Sequence, residues 1–478
     1  MNFVSHIFVF YFLPVVLLCY HLIPRNSHLL RKVFLLVTSY IFYAWLNPWF
    51  VVVVFCTTIF NYVLSVFLAK CGGRHNRSLL MVFSMVVNLG LLGLFKYAVF
   101  FQNNLNDVLK LFGADTFPSL KIVLPVGISF FTFKILIYTI DVYRGIPSAH
   151  SFLDFACYVA FFPQLLSGPI QRYGTTDTKS EPVPTFVEQL NKHRHCLSKF
   201  SYGVALFILG FAKKVLLANV VGQVADAAFA AEAPATLDAW FGVVAYTFQL
   251  YFDFSAYSEM AIGLGSMLGF DCPRNFNSPY LATSVNDFWR RWHISLSSWF
   301  RDYLYIPLGG NRKGIIRSYL NLVVVFLLCG LWHGASWTFI VWGIYHGILL
   351  IFERLLGKKT FYSYLPKTMQ ICATFVLVTV GWVFFRSPTT AGAWRILSVM
   401  FTASPPQGGS ILLGAVIYTP AHLVAMAICS VLAFQPIQAL DWAKRITWPK
   451  ALILVILLCL SLMTMFTQTF TSFLYFQF

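Results

Sequence analysis

Two histidines and two carboxylates stand where a very apolar chain has least reason to carry them. His333 sits in "CGLWHGASW" (329–337), between Trp332 and Gly334, with apolar runs on both sides. An ionisable group inside a membrane-length apolar run costs several kcal/mol and usually marks a function. A neutral imidazole, with an unperturbed pKa of about 6.5, is a ready general base at physiological pH. The bland alternative is a histidine satisfied by a neighbouring carbonyl in a packed bundle, and the helix break at Gly334 argues against it. His293 lies in "SVNDFWRRWHISLSSWFRDYLYIPLGGNRKG" (284–314) among Arg290, Arg291, Arg301 and Arg312. Those guanidiniums could grip the phosphates of an anionic cofactor by bidentate contacts, or lipid headgroups instead. His293 itself reads equally as an interfacial packing residue. Asp253 and Glu259, six apart in the apolar segment 239–270, should face a cavity or pair with Lys or Arg. Pairing is the simpler reading; the alternative is that Asp253 orients a catalytic imidazole.

The elements that must hold these groups are membrane helices. Of 478 residues 58% are hydrophobic and only 11% charged, and the mean hydropathy is +0.72; a soluble globular chain carries about 25% charge. Apolar segments fall at 3–23, 33–46, 49–69, 79–101, 121–140, 152–166, 200–221, 239–270, 319–332, 335–353, 368–386, 411–433 and 450–470. This predicts an all-α polytopic integral membrane protein. The alternating runs of a transmembrane barrel are absent. The first run has no basic stretch before it and no small-residue cleavage site after it, which reads as a retained span. The cysteines are scattered singly, the closest pair (Cys56 and Cys71) being fifteen apart, which excludes a C-x-x-C metal or redox motif. The net charge of +17 falls in loops between spans, where it sets orientation and meets anionic lipid rather than nucleic acid. No repeat or soluble domain is visible, so 1–478 reads as a single membrane domain.

Basic links should be cytoplasmic. They are 24–32 with Arg25 and Arg31 (and Lys32 just beyond), 70–78 with Lys70, Arg74 and Arg77, and 434–449 with Lys444 and Arg445. The link 221–238, with Asp226, Glu232 and Asp238 and no Lys or Arg, then falls outside; Arg386 and Arg395 are exceptions on that side. Because 167–199 and 271–318 are both basic, 152–166 should be re-entrant or interfacial. Likewise 319–353, followed by Arg354, Lys358 and Lys359, should be a hairpin that turns at His333–Gly334. Its first arm of fourteen residues rises about 21 Å, short of a hydrocarbon core of about 30 Å, which places His333 within the membrane thickness and reached from the cytoplasm. Segment 239–270, about 48 Å as one helix, should break near "YFDFSAYS" (251–258). In 284–314, Phe288, Trp292, Leu296, Trp299 and Tyr303 fall within roughly 80° on a helical wheel, opposite Arg290, Arg291, Arg301 and Asp302. That predicts an amphipathic helix in the cytoplasmic interface, capped by Ser284 with Asp287 and with His293 at the edge of its apolar face. In "FFPQLLSGPIQRY" (161–173), Pro163, Gly168 and Pro169 forbid a regular helix and suggest a cavity wall or mouth. "GLGSMLG" (263–269) follows no strand, so close helix packing explains its glycines better than dinucleotide binding.

Taken in order, "PVGISFFTF" (125–133), "FFPQLLSGPIQRY", "YFDFSAYSEMAIGLG", "NDFWRRWHISLSSWFRDYLYIPLGGNR" and "LWHGASWTFIVWGIYHG" resemble the membrane-bound O-acyltransferase family, in its bacterial alginate O-acetyltransferase branch. They cover about 120–350. The resemblance implies a ring-like helical bundle with re-entrant and interfacial helices, a thin centre and a central tunnel. It implies that His333 is the catalytic histidine and that His293 matches the second histidine of the family pattern. Trp332, Ser336, Asp253 and Glu259 become tunnel or structural polar positions. It implies acetyl-CoA as a donor entering from the cytoplasm, its phosphates near Arg290, Arg291, Arg301 or Arg312, and no metal. His333 would deprotonate the incoming hydroxyl, or the acyl group would rest briefly on the imidazole. The acceptor would be an exported polysaccharide, such as alginate or cellulose, beyond a bacterial inner membrane. A separate extracytoplasmic SGNH-like acetyltransferase partner is implied, since the chain has no such domain. Three rivals remain: D-alanyl transfer to teichoic acid from a carrier protein; a secondary transporter, which would show inverted repeats that are not seen; and a purely structural membrane scaffold, which leaves the paired histidine motifs unexplained.

Overall fold

Backbone amides in lipid have no water to bond, so an apolar chain of this length must satisfy them within helices. A computed structural model describes residues 1–24, 26–174, 183–192, 196–357, 364–403, 405, 408–467 and 473–474, and all regular structure among them is helical. Arg25, Lys358 and Lys359, used above for orientation, lie outside the described residues, as do parts of the basic stretch 167–199. Among the described residues seven helices, or eight if one pair bent by 63° counts as a single span, are long and apolar enough to cross a membrane. That is fewer than the apolar segments of the sequence, because several, such as Phe8–Leu22, are too short. The chain divides into two compact units: Met1–Phe207 with Met260–Pro273, and Ile208–Glu259 with Arg274–Phe478.

The first unit contains α1 (Leu13–Leu22), α2 (His28–Ala44), α3 (Pro48–Lys70), α4 (Arg74–Leu92), α5 (Ala98–Leu111), α6 (Ile128–Tyr143), α7 (Phe152–Ala160), α8 (Phe162–Leu165), α9 (Phe186–Asn191) and the start of α10 (Leu197–Ala212). Helices α3 and α4 are joined by a buried amide pair. Asn61 Nδ2 donates to Asn88 Oδ1 at 3.0 Å and Asn88 Nδ2 to Asn61 Oδ1 at 2.8 Å. The 152–166 segment is two short helices broken at Phe161, neither of them spanning length, as a re-entrant or interfacial element requires. Gly168 folds the following loop back so tightly that a Cβ there would lie 2.6 Å from Gln164 Cα. "PVGISFFTF" packs on the end of α8: Gly127, at φ 79°, approaches where a Cβ would lie 2.7 Å from the Leu165 carbonyl. Gly263 does belong to a close crossing. A Cβ on Gly203 or on Gly263 would strike the carbonyl oxygen of the other.

The second unit contains α11 (Asn219–Ala230), most of α12 (Thr236–Met267), α13 (Val285–Arg291), α14 (Ile294–Phe300), α15 (Ile315–His333), α16 (Trp337–Leu355), α17 (Lys367–Arg386), α18 (Thr390–Phe401), α19 (Gly408–Ile417), α20 (Pro420–Ala433), α21 (Ala439–Trp442) and α22 (Trp448–Thr467). The predicted hairpin is present: α15 ends at His333, and α16 begins after Ser336, whose side chain caps it by accepting from Thr338 N. Glycines let the two arms close. A Cβ on Gly330 would strike the Phe339 carbonyl, and one on Gly343 the Phe326 carbonyl. The apolar outer face of α22, with Leu452, Ile453, Val455, Ile456 and Leu460 exposed, is surface for lipid.

The structure differs from the sequence reading at three elements. The 32-residue helix α12 does not break at 251–258, because its carboxylates are satisfied without leaving the helix. The stretch 284–314 is not one amphipathic helix; it divides into α13 and α14 at His293. Its apolar face, Phe288, Trp292, Leu296, Trp299 and Tyr303, is buried within the protein rather than laid in lipid. Finally, α15 begins at Ile315 and has 19 residues, about 28 Å of rise, so the length of the arm alone does not fix the depth of His333.

Candidate active site

The C-terminus of α15, the turn before α14 and the inner face of α16 bring three imidazoles into one row. His293 faces the Trp332 ring at a centroid distance of 6.0 Å, and Trp332 faces His333 at 4.9 Å. His333 meets Trp342 edge-on at 5.1 Å, and Trp342 meets His346 at 5.1 Å. Phe385 of α17 closes on His333 at 5.0 Å. All five rings of the row are buried, His333 being 2% exposed and His293 and His346 0%. Indole edges and faces thus replace water around each imidazole.

His293 occupies a strained position outside the spanning helices. Its φ of 42° is left-handed, a conformation that a non-glycine residue holds only when its surroundings over-determine it. Here two backbone bonds do so: Ile294 N donates to Asn275 O at 2.9 Å and Asn277 N to Arg291 O at 3.0 Å. The amide of Asn275 fixes the ring. Its Oδ1 accepts from Ser295 Oγ at 2.9 Å and Ser295 N at 3.3 Å, and stands 3.1 Å from His293 Nδ1. A carbonyl oxygen cannot donate, so His293 carries its proton on Nδ1 and its lone pair on Nε2. Burial pushes its pKa down to about 3, which keeps the ring neutral. The sequence places His293 at the edge of an apolar face; the structure instead buries it completely beside Phe254, at 4.6 Å.

The other site candidates divide by location. Asp253 pairs with Lys214 at 2.5 Å and accepts from Leu474 N at 2.8 Å, and Glu259 pairs with Lys213 at 2.6 Å. Asp253 is thus held by a lysine, which removes the alternative that it orients an imidazole of the row. A buried carboxylate deprived of its cation costs roughly 3–5 kcal/mol, which accounts for both pairs. Trp332 lies in the row, and Ser336 serves as the α16 cap. Arg291 pairs with Asp287 at 3.0 Å and Arg301 with Asp302 at 2.7 Å; Arg290, Arg301 and Arg312 are exposed. Among the described residues no group of three His, Cys, Asp or Glu could hold a metal ion. Sequence reasoning missed Asn275, which lies in an irregular segment with no local signal. It also missed His346, whose signal was present: an ionisable residue in an apolar run, four after Trp342.

A sequence model of the membrane-bound O-acyltransferase family matches residues 120–387. A "probable alginate O-acetylase AlgI" of Pseudomonas aeruginosa is 45% identical over 404 residues, 84% of this chain and 75% of the relative. Its namesake in Pseudomonas putida is 41% identical over the whole of both chains. A "peptidoglycan O-acetyltransferase" of Helicobacter pylori is 37% identical over 82% of this chain and 78% of its own. The matched region contains the whole histidine row, and the chain belongs to the membrane-bound O-acyltransferase family, as a multi-pass membrane enzyme that transfers acyl groups to oxygen.

Proposed function

We propose that the enzyme takes an acetyl group from acetyl-CoA at the cytoplasmic face of a bacterial inner membrane and delivers it to a hydroxyl of an exported polysaccharide. A separate extracytoplasmic acetyltransferase of the SGNH type completes the delivery. The observation that carries this reading is the row of rings: His333, at a helix end inside a spanning hairpin, shares the Trp332 ring with a neutral His293. The relatives named for alginate and peptidoglycan acetylation support a glycan acceptor.

The chemistry follows from these side chains. His333, neutral, takes the proton of the entering hydroxyl as its oxygen attacks the thioester carbonyl carbon. The carbon–sulfur bond breaks, and the imidazolium returns the proton to the departing thiolate, so the protein ends as it began. Before the transfer, His293 Nε2, its lone pair fixed inward by Asn275, accepts from the hydroxyl and orients it; the O–H then turns to His333, which takes the proton. The buried aromatic rings keep water from competing for the thioester. Arg291 and Arg301 already hold carboxylates, so contact with the donor's phosphates falls to the exposed Arg290 and Arg312.

The test is sidedness. In sealed inverted vesicles holding the full chain, its partner and its polysaccharide, radiolabelled acetyl-CoA added outside should label lumenal glycan. Sealed right-side-out vesicles should leave external glycan unlabelled until opened. Equal labelling in both orientations would overturn the proposal.

A further inference from the structure

His346 is the imidazole of the row to which this chemistry gives no task. It lies in α16, fully buried, and among the described residues neither Nδ1 nor Nε2 has a hydrogen-bond partner. The indole N–H groups of Trp289 and Trp342 are in the same condition. These three rings touch one another, with centroids 5.2 Å apart for Trp289 and His346, 5.1 Å for Trp342 and His346, and 5.7 Å for Trp289 and Trp342. A buried polar atom left without a partner costs roughly 1–3 kcal/mol, whereas an apolar group of the same shape costs nothing of the kind. Four such nitrogens in one cluster are therefore poor packing material.

Their chemistry defines what would satisfy them. Indoles only donate, and a neutral imidazole donates from one nitrogen and accepts at the other. The cluster offers three donors and one acceptor, a set that suits an oxygen with lone pairs. The Trp342 ring lies between this cluster and His333, in contact with both imidazoles.

We propose that His346, with Trp289 and Trp342, holds one acceptor oxygen beside the reaction centre and through Trp342 positions His333. This rests on the reading of His333 given above. The oxygen belongs either to a bound water or to a carbonyl of the acyl donor.

Two substitutions test it in membranes containing the full chain. His346→Phe keeps a flat ring of similar size and removes both nitrogens; His346→Gln restores one donor and one acceptor. Initial rates of acetyl transfer are measured against acetyl-CoA concentration, per amount of folded protein, alongside thermal stability in detergent. If His346 only fills space, the Phe variant is as stable as the parent and fully active, and that result overturns the proposal. The proposal expects a Phe variant at least as stable but roughly 10- to 100-fold slower, with most of the loss recovered by Gln. A fall in kcat at constant KM identifies a water; a matching rise in KM identifies the donor's carbonyl. A Gln variant as slow as the Phe variant also overturns the proposal. If the Phe variant does not reach the membrane, Trp289→Phe removes one donor of the cluster: a similar slowing supports the proposal and unchanged rates contradict it. His333→Ala is the control that separates the two readings. Activity surviving in it removes the reaction-centre reading, whereas an inactive His333→Ala beside a fully active His346→Phe removes only this one.

Discussion

The tautomer of His293 is set by a single amide oxygen. Asn275 Oδ1, 3.1 Å from Nδ1, leaves the lone pair on Nε2, and burial keeps the ring uncharged with a pKa of about 3. Asn275→Asp would put a carboxylate in that place. An anion at this distance favours imidazolium and raises the pKa. The variant should lose activity as pH falls through the raised value, because Nε2 becomes protonated, while the parent shows no such acid limb from His293 down to about pH 3. Superimposable pH–rate profiles would show that the lone pair on Nε2 does not matter. At this scale His333 and His293 were legible, because an imidazole in an apolar setting is conspicuous by type alone. Asn275 was not, since its bond spans eighteen residues and nothing in "PRNFN" announces it. Nor does sequence mark a left-handed histidine, which is why 284–314 read as one continuous helix.

Among elements, the hairpin of α15 and α16 was the most legible. Gly334 and Ser336 punctuate two apolar runs, and the turn falls there. The same hairpin depends on Gly330 and Gly343, whose missing side chains let each helix lie on the backbone of the other. Gly343→Ala would push a methyl into the Phe326 carbonyl, and overpacking of this kind costs about 1–3 kcal/mol. The expected outcome is a lower melting temperature in detergent and reduced acetyl transfer, with Gly409→Ala, where a Cβ meets nothing within 4 Å, as the neutral control. An unchanged melting temperature for Gly343→Ala would contradict the close crossing. The continuous course of α12 was not legible, because the lysines that neutralise Asp253 and Glu259 come from the π-helical stretch joining α10 to α11. A polar residue in an apolar run signals a break only when its partner cannot be reached within the helix.

At the scale of the whole molecule, the charge pattern predicts an orientation, and its two exceptions are paired in the structure. Arg386 pairs with Asp226 at 2.6 Å, and Arg395 donates to the Glu232 carbonyl at 3.0 Å. These outer arginines are thus tied to the acidic link. Orientation is directly measurable at the two ends of the span Leu197–Ala230. Hydrogen bonds from Ser198 and the backbone of Lys199 and Ser198 hold the exposed Cys196 thiol below its ordinary pKa, which favours reaction with maleimide. With the other exposed cysteines replaced by serine, an impermeant maleimide should leave Cys196 unlabelled in intact cells and label it after permeabilisation. In a background with Cys196 also replaced, Glu232→Cys should be labelled without permeabilisation; the reverse pattern would invert the topology. Composition made the membrane class legible, and the basic links predict an orientation that the labelling tests. The number of spans was less so, since apolar runs too short to cross read much like those that do. The central claim is that acetyl crosses the bilayer by way of the imidazole at 333. The most direct measurement compares inverted vesicles carrying the parent enzyme with vesicles carrying equal amounts of folded His333→Ala, supplied with radiolabelled acetyl-CoA. Loss of a general base costs about 10²- to 10⁴-fold, so lumenal label should fall to background in the variant; label accumulating there at the parent's rate would contradict the account.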